Sequence, residues 1–156
     1  MSNFDRAYAF TKKWEVGGAG DGGYTNDPVD PGGETKWGIT ARALADAIKK
    51  GIVKPTTVKD LTEEDAKIIY RVNYWDMCHC DGRPVAFAVA IFDSAVNCGV
   101  AKVAIWLTDA KDAETLLSHR RAHYESIVKK NPKLKKFSKG WNNRLEDLHK
   151  YIKKIV

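Results

Sequence analysis

The chain has 156 residues, of which 44% are hydrophobic and 29% are charged, the composition of one soluble globular domain. Its net charge of +6 is uneven, because residues 119–156 carry 12 Lys and Arg against 3 Asp and Glu. No stretch is long and apolar enough to cross a bilayer, which argues against stable membrane insertion. The first ten residues lack the basic and apolar regions of a secretory signal, so we expect synthesis in the cytoplasm without a signal peptide.

Cysteine content and charge exclude several classes of protein. The three cysteines are few and odd in number, which argues against a disulfide framework. Cys78-His79-Cys80 is spaced too tightly for half of a zinc finger, and we expect no metal or organic cofactor. The basic C-terminal part fits a solvated helix face, a nucleic-acid patch or attraction to an anionic polymer. Because no DNA-binding pattern accompanies it, we expect no nucleic-acid partner.

The first predicted helix runs from Asn3 to Trp14 or Glu15. Phe4, Tyr8, Thr11 and Glu15 recur at spacings that place them on one helix face. Glu15 therefore ends the helix on its buried side, where partial desolvation and the negative end of the helix dipole both disfavour a charged carboxyl. A carboxylic acid that keeps its proton near neutral pH is suited to general acid catalysis, and a second carboxylate across a cleft would complete the equipment of a glycosidase.

An acidic, glycine-rich segment follows, with the sequence WEVGGAGDGGYTNDPVDPGGETKWGIT over residues 14–40. Asn-Asp-Pro and Asp-Pro-Gly-Gly are turn sequences, and part of the segment is expected to pair as a short hairpin. Taken by composition alone, this is a solvated loop whose carboxylates keep its turns hydrated. The helical pattern that leads into it at Glu15 favours a functional segment instead.

The rest of the chain predicts helices. Thr40 and Thr62 are candidate N-caps for helices over 41–50 and from residue 62 to about Tyr74 and Trp75. Residues 85–97 are apolar almost all round, which predicts a buried central helix whose Asp93 and Asn97 form a satisfied hydrogen-bonding pair. Further helices are predicted over 100–107 and 112–130, and a last amphipathic helix over 145–155.

Several of these motifs resemble one enzyme family. Gly22-Gly23-Tyr24, the turn sequences that follow it and Gly38-Ile39-Thr40 resemble the signature of the glycoside hydrolase family 108 muramidases, a lysozyme-like group of phage endolysins and bacterial secretion activators. FDSAVNCG near residue 92, the helix with Arg120, Arg121 and Tyr124, and FSKGW at residues 137–141 are similar to the family's peptidoglycan-binding region. The resemblance implies an all-α, lysozyme-like domain over residues 1–156, mainly helical around a buried central helix, with residues from about 85 to 156 forming the integrated binding region.

The resemblance departs from the family pattern at one position. In the family a catalytic glutamate directly precedes Gly-Gly-Tyr, whereas here that position holds Asp21 and the nearest glutamate is Glu15. We interpret residues 16–21 as an inserted loop, with Glu15 keeping the catalytic role; the alternative is that Asp21 replaced the glutamate. The resemblance then implies an N-acetylmuramidase in which Glu15 is the general acid, Asp30 the second carboxylate and Thr35 a residue that places a water.

Three aromatic residues are candidates for substrate binding. Tyr24 and Trp37 are expected to shape the cleft, although a packing role is nearly as well supported. Trp75 belongs to a tyrosine–tryptophan pair that also follows this helix in the family, and it is predicted as a cleft wall. Asp27 and Glu34 are weaker catalytic candidates, because turn residues of this kind more often cap backbone N–H groups.

The expected partner is the peptidoglycan glycan strand, and the expected oligomeric state is a monomer. The protein would act on the wall in the periplasm and would need an export route such as a holin. Two other function classes stay open at this stage. One is a non-catalytic peptidoglycan-binding protein or secretion activator that has lost hydrolysis. The other is a membrane-active basic protein that lyses cells through its C-terminal helix.

Overall fold

The structure is a computed structural model that describes residues 1–29 and 33–155. Over these residues the chain forms seven α-helices and one small three-stranded antiparallel sheet. This confirms the predicted mainly-α, lysozyme-like fold. The helices are α1 (Asn3–Val16), α2 (Ala41–Lys49), α3 (Glu63–Tyr70), α4 (Val85–Cys98), α5 (Val100–Trp106), α6 (Ala113–Lys130) and α7 (Lys135–Ile155).

The first helix begins and ends at residues suited to those positions. The Ser2 hydroxyl accepts a hydrogen bond from the backbone N–H of Asp5, whose carboxylate in turn accepts the N–H of Ser2, which forms a capping box. The helix continues through Glu15 to Val16 and stops at Gly17, whose φ of 69° favours glycine. Glu15 therefore lies inside the last helical turn.

The glycine-rich segment folds into the sheet, which confirms the predicted hairpin. Its strands are β1 (Thr25–Asn26), β2 (Glu34–Lys36) and β3 (Ile39–Thr40), paired in the order β1-β2-β3. Lys36 pairs with Ile39, so β2 and β3 are joined by a two-residue turn at Trp37 and Gly38. Both turn residues have positive φ, 54° and 75°, as a tight hairpin turn requires.

Helix α4 is the centre of the fold, as its apolar sequence predicts. Every residue from Phe87 to Ala95 is buried, and the helix packs against α1, α5, α6 and α7. Pro84 precedes its first turn and Gly99, with a φ of 97°, ends it. The polar side chains of Asp93 and Ser94 lie in this buried stretch and therefore need hydrogen-bond partners within the protein.

Two further features extend the predicted helices. A π-helical turn, Arg71–Asp76, continues α3, and a short 3₁₀ turn, Pro132–Leu134, leads directly into α7. Helix α7 begins at Lys135, ten residues before the predicted amphipathic stripe. The prediction did not include these ten residues because Gly140 and the lysines around it interrupt the apolar pattern.

In the described part of the chain, no helix combines the length and the apolar character that crossing a membrane requires.

Candidate active site

Glu15 lies between α7 and the turn that joins β2 to β3. Arg144 of α7 donates a hydrogen bond from Nη1 to Glu15 Oε1 at 3.0 Å. On the other side, a Cβ added to Gly38 would lie 3.3 Å from the Cβ of Glu15. The Glu15 side chain is 26% exposed, and none of the described residues hydrogen bonds to its second oxygen, Oε2. One oxygen is thus held in place and the other is available to a ligand.

The arginine that holds Glu15 belongs to a buried ionic network centred on Asp93 of α4. Arg144 donates from Nη2 to Asp93 Oδ1 at 2.8 Å and from Nε to Oδ2 at 3.2 Å. Arg120 of α6 donates from Nη1 to Asp93 Oδ2 at 2.8 Å and to the Ser94 hydroxyl at 3.1 Å. The Thr11 hydroxyl of α1 completes the set, 2.8 Å from Asp93 Oδ1. The network therefore ties α1, α4, α6 and α7 together directly beside Glu15.

Two arginine side chains share the buried carboxylate of Asp93 in this network. Asp93 and Arg120 are fully buried and Arg144 is 7% exposed, so two guanidinium groups face one buried carboxylate. Burial acts to raise the pKa of Asp93, but the guanidinium groups of Arg120 and Arg144 outweigh it and hold that pKa below its usual range. Arg144 also donates a hydrogen bond to the Glu15 carboxyl group, and this contact joins the end of α1 to α7.

The network also satisfies the remaining polar residue of α4. Arg120 Nε donates to the Tyr124 hydroxyl at 2.7 Å, and that hydroxyl donates to the side-chain oxygen of Asn97. Asp93 is thus a buried and Asn97 a half-buried hydrogen-bonded residue. The predicted pair between them does not form, because Asp93 binds residues of α1, α6 and α7 and Asn97 accepts from Tyr124 of α6.

The turn that faces Glu15 is fixed by three contacts. The Tyr70 hydroxyl donates to the backbone oxygen of Trp37 at 3.0 Å, and the indole Nε1 of Trp37 donates to the backbone oxygen of Leu61 at 3.1 Å. The indole ring lies against Gly22, where an added Cβ would come within 2.6 Å of it. Trp37 is only 7% exposed, so of the two roles considered for it the structure supports packing.

Two tyrosine hydroxyl groups near Glu15 are kept neutral by their surroundings. Burial and the nearby Glu15 carboxylate raise the pKa of both Tyr70 and Tyr74. Tyr70 is committed to the turn, whereas Tyr74 is half-buried. The surroundings of Glu15 therefore include a guanidinium, two neutral phenols and a backbone turn.

The remaining candidates from the glycine-rich segment lie on or near the sheet. Thr35 occupies the middle of β2, and its hydroxyl is 2.7 Å from that of Thr25. The Tyr24 hydroxyl donates a hydrogen bond to Glu34 Oε2 at 2.6 Å, so these two side chains bind each other. Asp27 Oδ1 accepts the backbone N–H of Val29 at 2.9 Å, the turn-capping role expected of it.

Asp21, the alternative acid, has a local structural role. It is exposed, and its Oδ1 accepts the backbone N–H of Gly23 at 3.1 Å. This contact stabilises the turn that presents Gly22 and Gly23. Asp30, predicted as the second carboxylate, lies outside the described residues.

Trp75 was predicted as a cleft wall, and the structure contradicts this. Its ring is 1% exposed and packs edge-on against Phe4 and Phe92, at 5.5 and 5.9 Å between ring centroids. Its Nε1 donates to Asp81 Oδ1 at 2.9 Å. A side chain so enclosed has no surface left for a sugar, and Trp75 is a core residue.

A groove of about 830 Å³ does not include Glu15 in its lining. It runs along the Tyr8, Lys12 and Val16 side of α1 to the loop at residues 17–20. Its Lys12 is 2.6 Å from Glu63, and its Lys67 pairs with Asp5. Because these charges are paired with one another, the groove has the character of a hydrated surface between α1 and α3.

Across residues 1–29 and 33–155, no three or more His, Cys, Asp or Glu side chains are grouped to hold a metal ion.

Arg144 and Asp93 were not predicted as neighbours of Glu15, but each carries a signal in the sequence. Arg144 lies on the apolar stripe of the last helix, between Trp141 and Leu145, where a charged residue needs a partner. Asp93 lies in a helix without a polar face. A carboxylate and an arginine that are both forced into the core are candidates for an ion pair, although the sequence alone does not show which residues pair.

The chain is similar to known proteins in both sequence and structure. A family model described as glycosyl hydrolase 108 matches residues 14–99, more than half of the chain, from the end of α1 to the end of α4. The structure of Brucella abortus SagA is similar, with a TM-score of 0.67 and 26% sequence identity over 96% of this chain and 92% of that one. No protein of curated function matches the sequence. On the strength of the family match, with Glu15 at the start of the matched region, the chain belongs to the glycosyl hydrolase 108 family.

Proposed function

We propose that this protein is an N-acetylmuramidase that hydrolyses the β-1,4 bond between N-acetylmuramic acid and N-acetylglucosamine in peptidoglycan. Membership of the family supports a glycoside hydrolase activity related to peptidoglycan. The observation that carries the finer proposal is the state of Glu15, whose Oε1 is fixed by Arg144 while Oε2 is left to a ligand. A general acid has to be held at a defined position while one oxygen stays within reach of the leaving group.

In the proposed reaction Glu15 protonates the glycosidic oxygen through Oε2 as the bond to the anomeric carbon breaks. A water molecule supplies the hydroxyl that ends on that carbon, and Glu15 recovers its proton by the end of the cycle. The second carboxylate is assigned to Asp30, with Thr35 helping to place the water. Whether the product retains or inverts configuration depends on the distance between the two carboxyl groups.

The choice of Glu15 over Asp21 is supported by what each side chain contacts. Glu15 contacts a buried guanidinium and the β2–β3 turn, both of which come from distant parts of the chain. Asp21 caps the turn two residues ahead of it and is exposed. A carboxylate that is positioned by three elements of the fold is better suited to catalysis than one that moves with its own loop.

One observation favours a second candidate, a peptidoglycan-binding protein without hydrolysis. Glu15 is a hydrogen-bond partner of Arg144, which also contacts Asp93, and this structural role would be available to an inactive member of the family. Such a protein would bind purified peptidoglycan and release no reducing ends. The monomeric state, action at the wall in the periplasm and an export route such as a holin remain parts of the proposal.

The test is the release of reducing ends from purified peptidoglycan by the wild type, Glu15→Gln and Asp21→Asn, with folding checked by circular dichroism. We expect the wild type and Asp21→Asn to be active and Glu15→Gln to lose at least about a hundredfold, the scale of a general acid's contribution. Loss in Asp21→Asn alone would move the acid to the Gly-Gly-Tyr motif. An inactive wild type that still binds peptidoglycan would establish the second candidate.

A further inference from the structure

The groove between α1 and α3, called the α1 groove below, has no part in the proposed reaction. Its volume of about 830 Å³ lies within the range of ligand sites, about 300–1,000 Å³. One end is formed by Val16 and residues 17–20, which follow Glu15 directly in the chain. Lys12 also lines the groove, and its Nζ lies 5.1 Å from the centre of the Trp37 ring. The groove therefore ends at residues that adjoin Glu15 and its facing turn.

The α1 groove contains a buried polar group without a partner. Tyr8 lines the groove and is only 5% exposed, and no described residue forms a hydrogen bond with its hydroxyl group. Burial, with a smaller effect of the Glu63 carboxylate, raises the pKa of Tyr8, so the hydroxyl keeps its proton. A buried donor without an acceptor is costly and rare in folded proteins. A ligand in the groove that supplies an acceptor would remove this cost.

The charged side chains that line the α1 groove are of both signs. Three are lysines and three are acidic: Lys12, Lys13 and Lys67, and Asp5, Glu63 and Glu64. Two ion pairs among them join α1 to α3, with side chains that are 34–37% exposed: Lys12–Glu63 and Lys67–Asp5. Because ion pairs this exposed contribute little to stability, a ligand can exchange one partner at small cost.

This balance of charge selects among ligands. Half of these groups would repel a polyanion such as a nucleic acid or an anionic bilayer. A short peptide that carries both carboxylate and amino groups would match them.

The wall of the groove at residues 17–20 is a feature of this chain. These residues belong to the loop that separates Glu15 from Gly22-Gly23-Tyr24, whereas the family signature places the glutamate directly before Gly-Gly-Tyr. The loop thus adds a surface beside Glu15 that the family pattern does not contain. A ligand of this surface would distinguish the chain from other members of the family.

We infer that the α1 groove binds the stem peptide of the muramic acid residue whose glycosidic bond is cleaved. This inference rests on the proposed function for its choice of ligand. The stem peptide is attached to the lactyl group of that sugar, so it begins close to the bond and to Glu15. One of its carboxylates replaces Glu63 as the partner of Lys12 and accepts the Tyr8 hydroxyl. The peptide, and not the sugar alone, then determines which strands are bound well.

The first experiment compares reducing-end release from two forms of the same soluble glycan strands, with their stem peptides and after an amidase has removed them. The wild type should have a KM at least about fivefold lower for strands that carry peptides. Tyr8→Phe should raise that KM about three- to tenfold, the scale of one hydrogen bond, and leave kcat and the KM for bare strands unchanged. Equal wild-type KM values for the two forms would overturn the inference.

The matched control is Tyr151→Phe, which removes a hydroxyl group that donates to the Arg6 backbone oxygen at 3.0 Å, outside the groove. It should lower the midpoint of thermal unfolding and leave the ratio of the two KM values unchanged. Tyr8→Phe should not lower the midpoint, because the hydroxyl group that it removes has no partner. The same change of the KM ratio in both variants would contradict a role of the Tyr8 hydroxyl in binding.

The second experiment measures binding of the free stem peptide, released from purified peptidoglycan by the amidase, to the full-length chain by isothermal titration calorimetry. The wild type and Glu15→Gln should bind it equally, and Lys12→Gln should bind it severalfold more weakly. Lys50→Gln removes the lysine of a comparable exposed pair outside the groove and should have no effect. Absence of binding would refute the inference. Equal binding of an unrelated peptide of the same length and charge would also refute it, and would identify a general peptide site instead.

Peptide binding is measured apart from hydrolysis, so failure of this inference is distinguishable from failure of the proposed function. A protein that releases no reducing ends but binds the stem peptide through Tyr8 and Lys12 would lack the activity and keep the peptide site. A protein that cleaves both forms of the strand equally well and does not bind the peptide would have the activity without the site.

Discussion

Replacing Asp93 by asparagine tests whether the buried network holds the fold together beside Glu15. The Asp93 carboxylate is fully buried and accepts hydrogen bonds from Thr11, Arg120 and Arg144 at 2.8–3.2 Å. Asparagine has nearly the same shape but removes the negative charge between two guanidinium groups. Breaking a buried ion pair from one side costs about 3–5 kcal/mol, because the remaining charge is left without a partner.

A loss of that size is a large part of the stability of an ordinary domain, about 5–15 kcal/mol. We expect the thermal midpoint of Asp93→Asn to fall by roughly 6–20 °C, measured by circular dichroism or calorimetry. The matched control is Asp46→Asn, which breaks a surface pair between Asp46 and Lys50 whose side chains are 47% and 61% exposed. That variant should lose only about 0.3–0.5 kcal/mol.

The same network predicts how stability depends on pH. The guanidinium groups lower the pKa of Asp93 in the folded protein, so this carboxyl contributes stability that is fully present above its unfolded pKa of about 4 and is lost as the pH falls toward the lower folded value. Wild-type stability should therefore decline below about pH 4 more steeply than that of Asp93→Asn. If the two variants, Asp93→Asn and Asp46→Asn, lost equal stability at neutral pH, the network would not have the energetic role assigned to it.

Three further predictions concern the core and the turns. Gly22→Ala should lose about 1–3 kcal/mol, because φ is 86° and the new Cβ would meet the Trp37 ring, whereas Gly18→Ala, with nothing within 4 Å, should be close to neutral in urea unfolding. Trp75→Phe should lower the unfolding midpoint while leaving KM for peptidoglycan unchanged, since the ring is buried; a raised KM would restore its place in the cleft. Burial raises the pKa of the Cys80 thiol, so iodoacetamide at pH 8 should modify Cys80 only after denaturation, and rapid labelling of the folded protein would contradict this.

Local rules explain why so much of the helical structure could be predicted. Thr40 and Thr62 cap α2 and α3 as their positions predict, and the apolar run after Pro84 becomes the buried helix α4. Each of these features depends on residues within a few positions of one another. The start of α7 was missed for the same reason, since Gly140 interrupts the local pattern while the helix is held by contacts with α6 and α1.

The site could be predicted only in part, because its partners are distant in sequence. Glu15 and Arg144 are separated by 129 residues, and Asp93 and Arg144 by 51. Residue type showed that Asp93 needed a partner but not that the partner would be an arginine shared with Glu15. The prediction for Trp75 was wrong for a related reason, since periodicity does not tell whether an aromatic residue at a helix end faces the core or a cleft.

These long-range contacts also explain how six residues can separate Glu15 from Gly-Gly-Tyr without displacing the Glu15 side chain. Glu15 is positioned from one side by Arg144 and from the other by the turn at Trp37 and Gly38. That turn is fixed to Tyr70 and Leu61, and none of these residues belongs to the loop at 16–21. The loop leaves α1 through Gly17 and rejoins the fold where Gly22 meets the Trp37 indole, so its length can change while both ends stay in place. The contact with Arg144 and the turn at Trp37 and Gly38 therefore determine where Glu15 lies in space. Its distance along the chain from Gly-Gly-Tyr matters less.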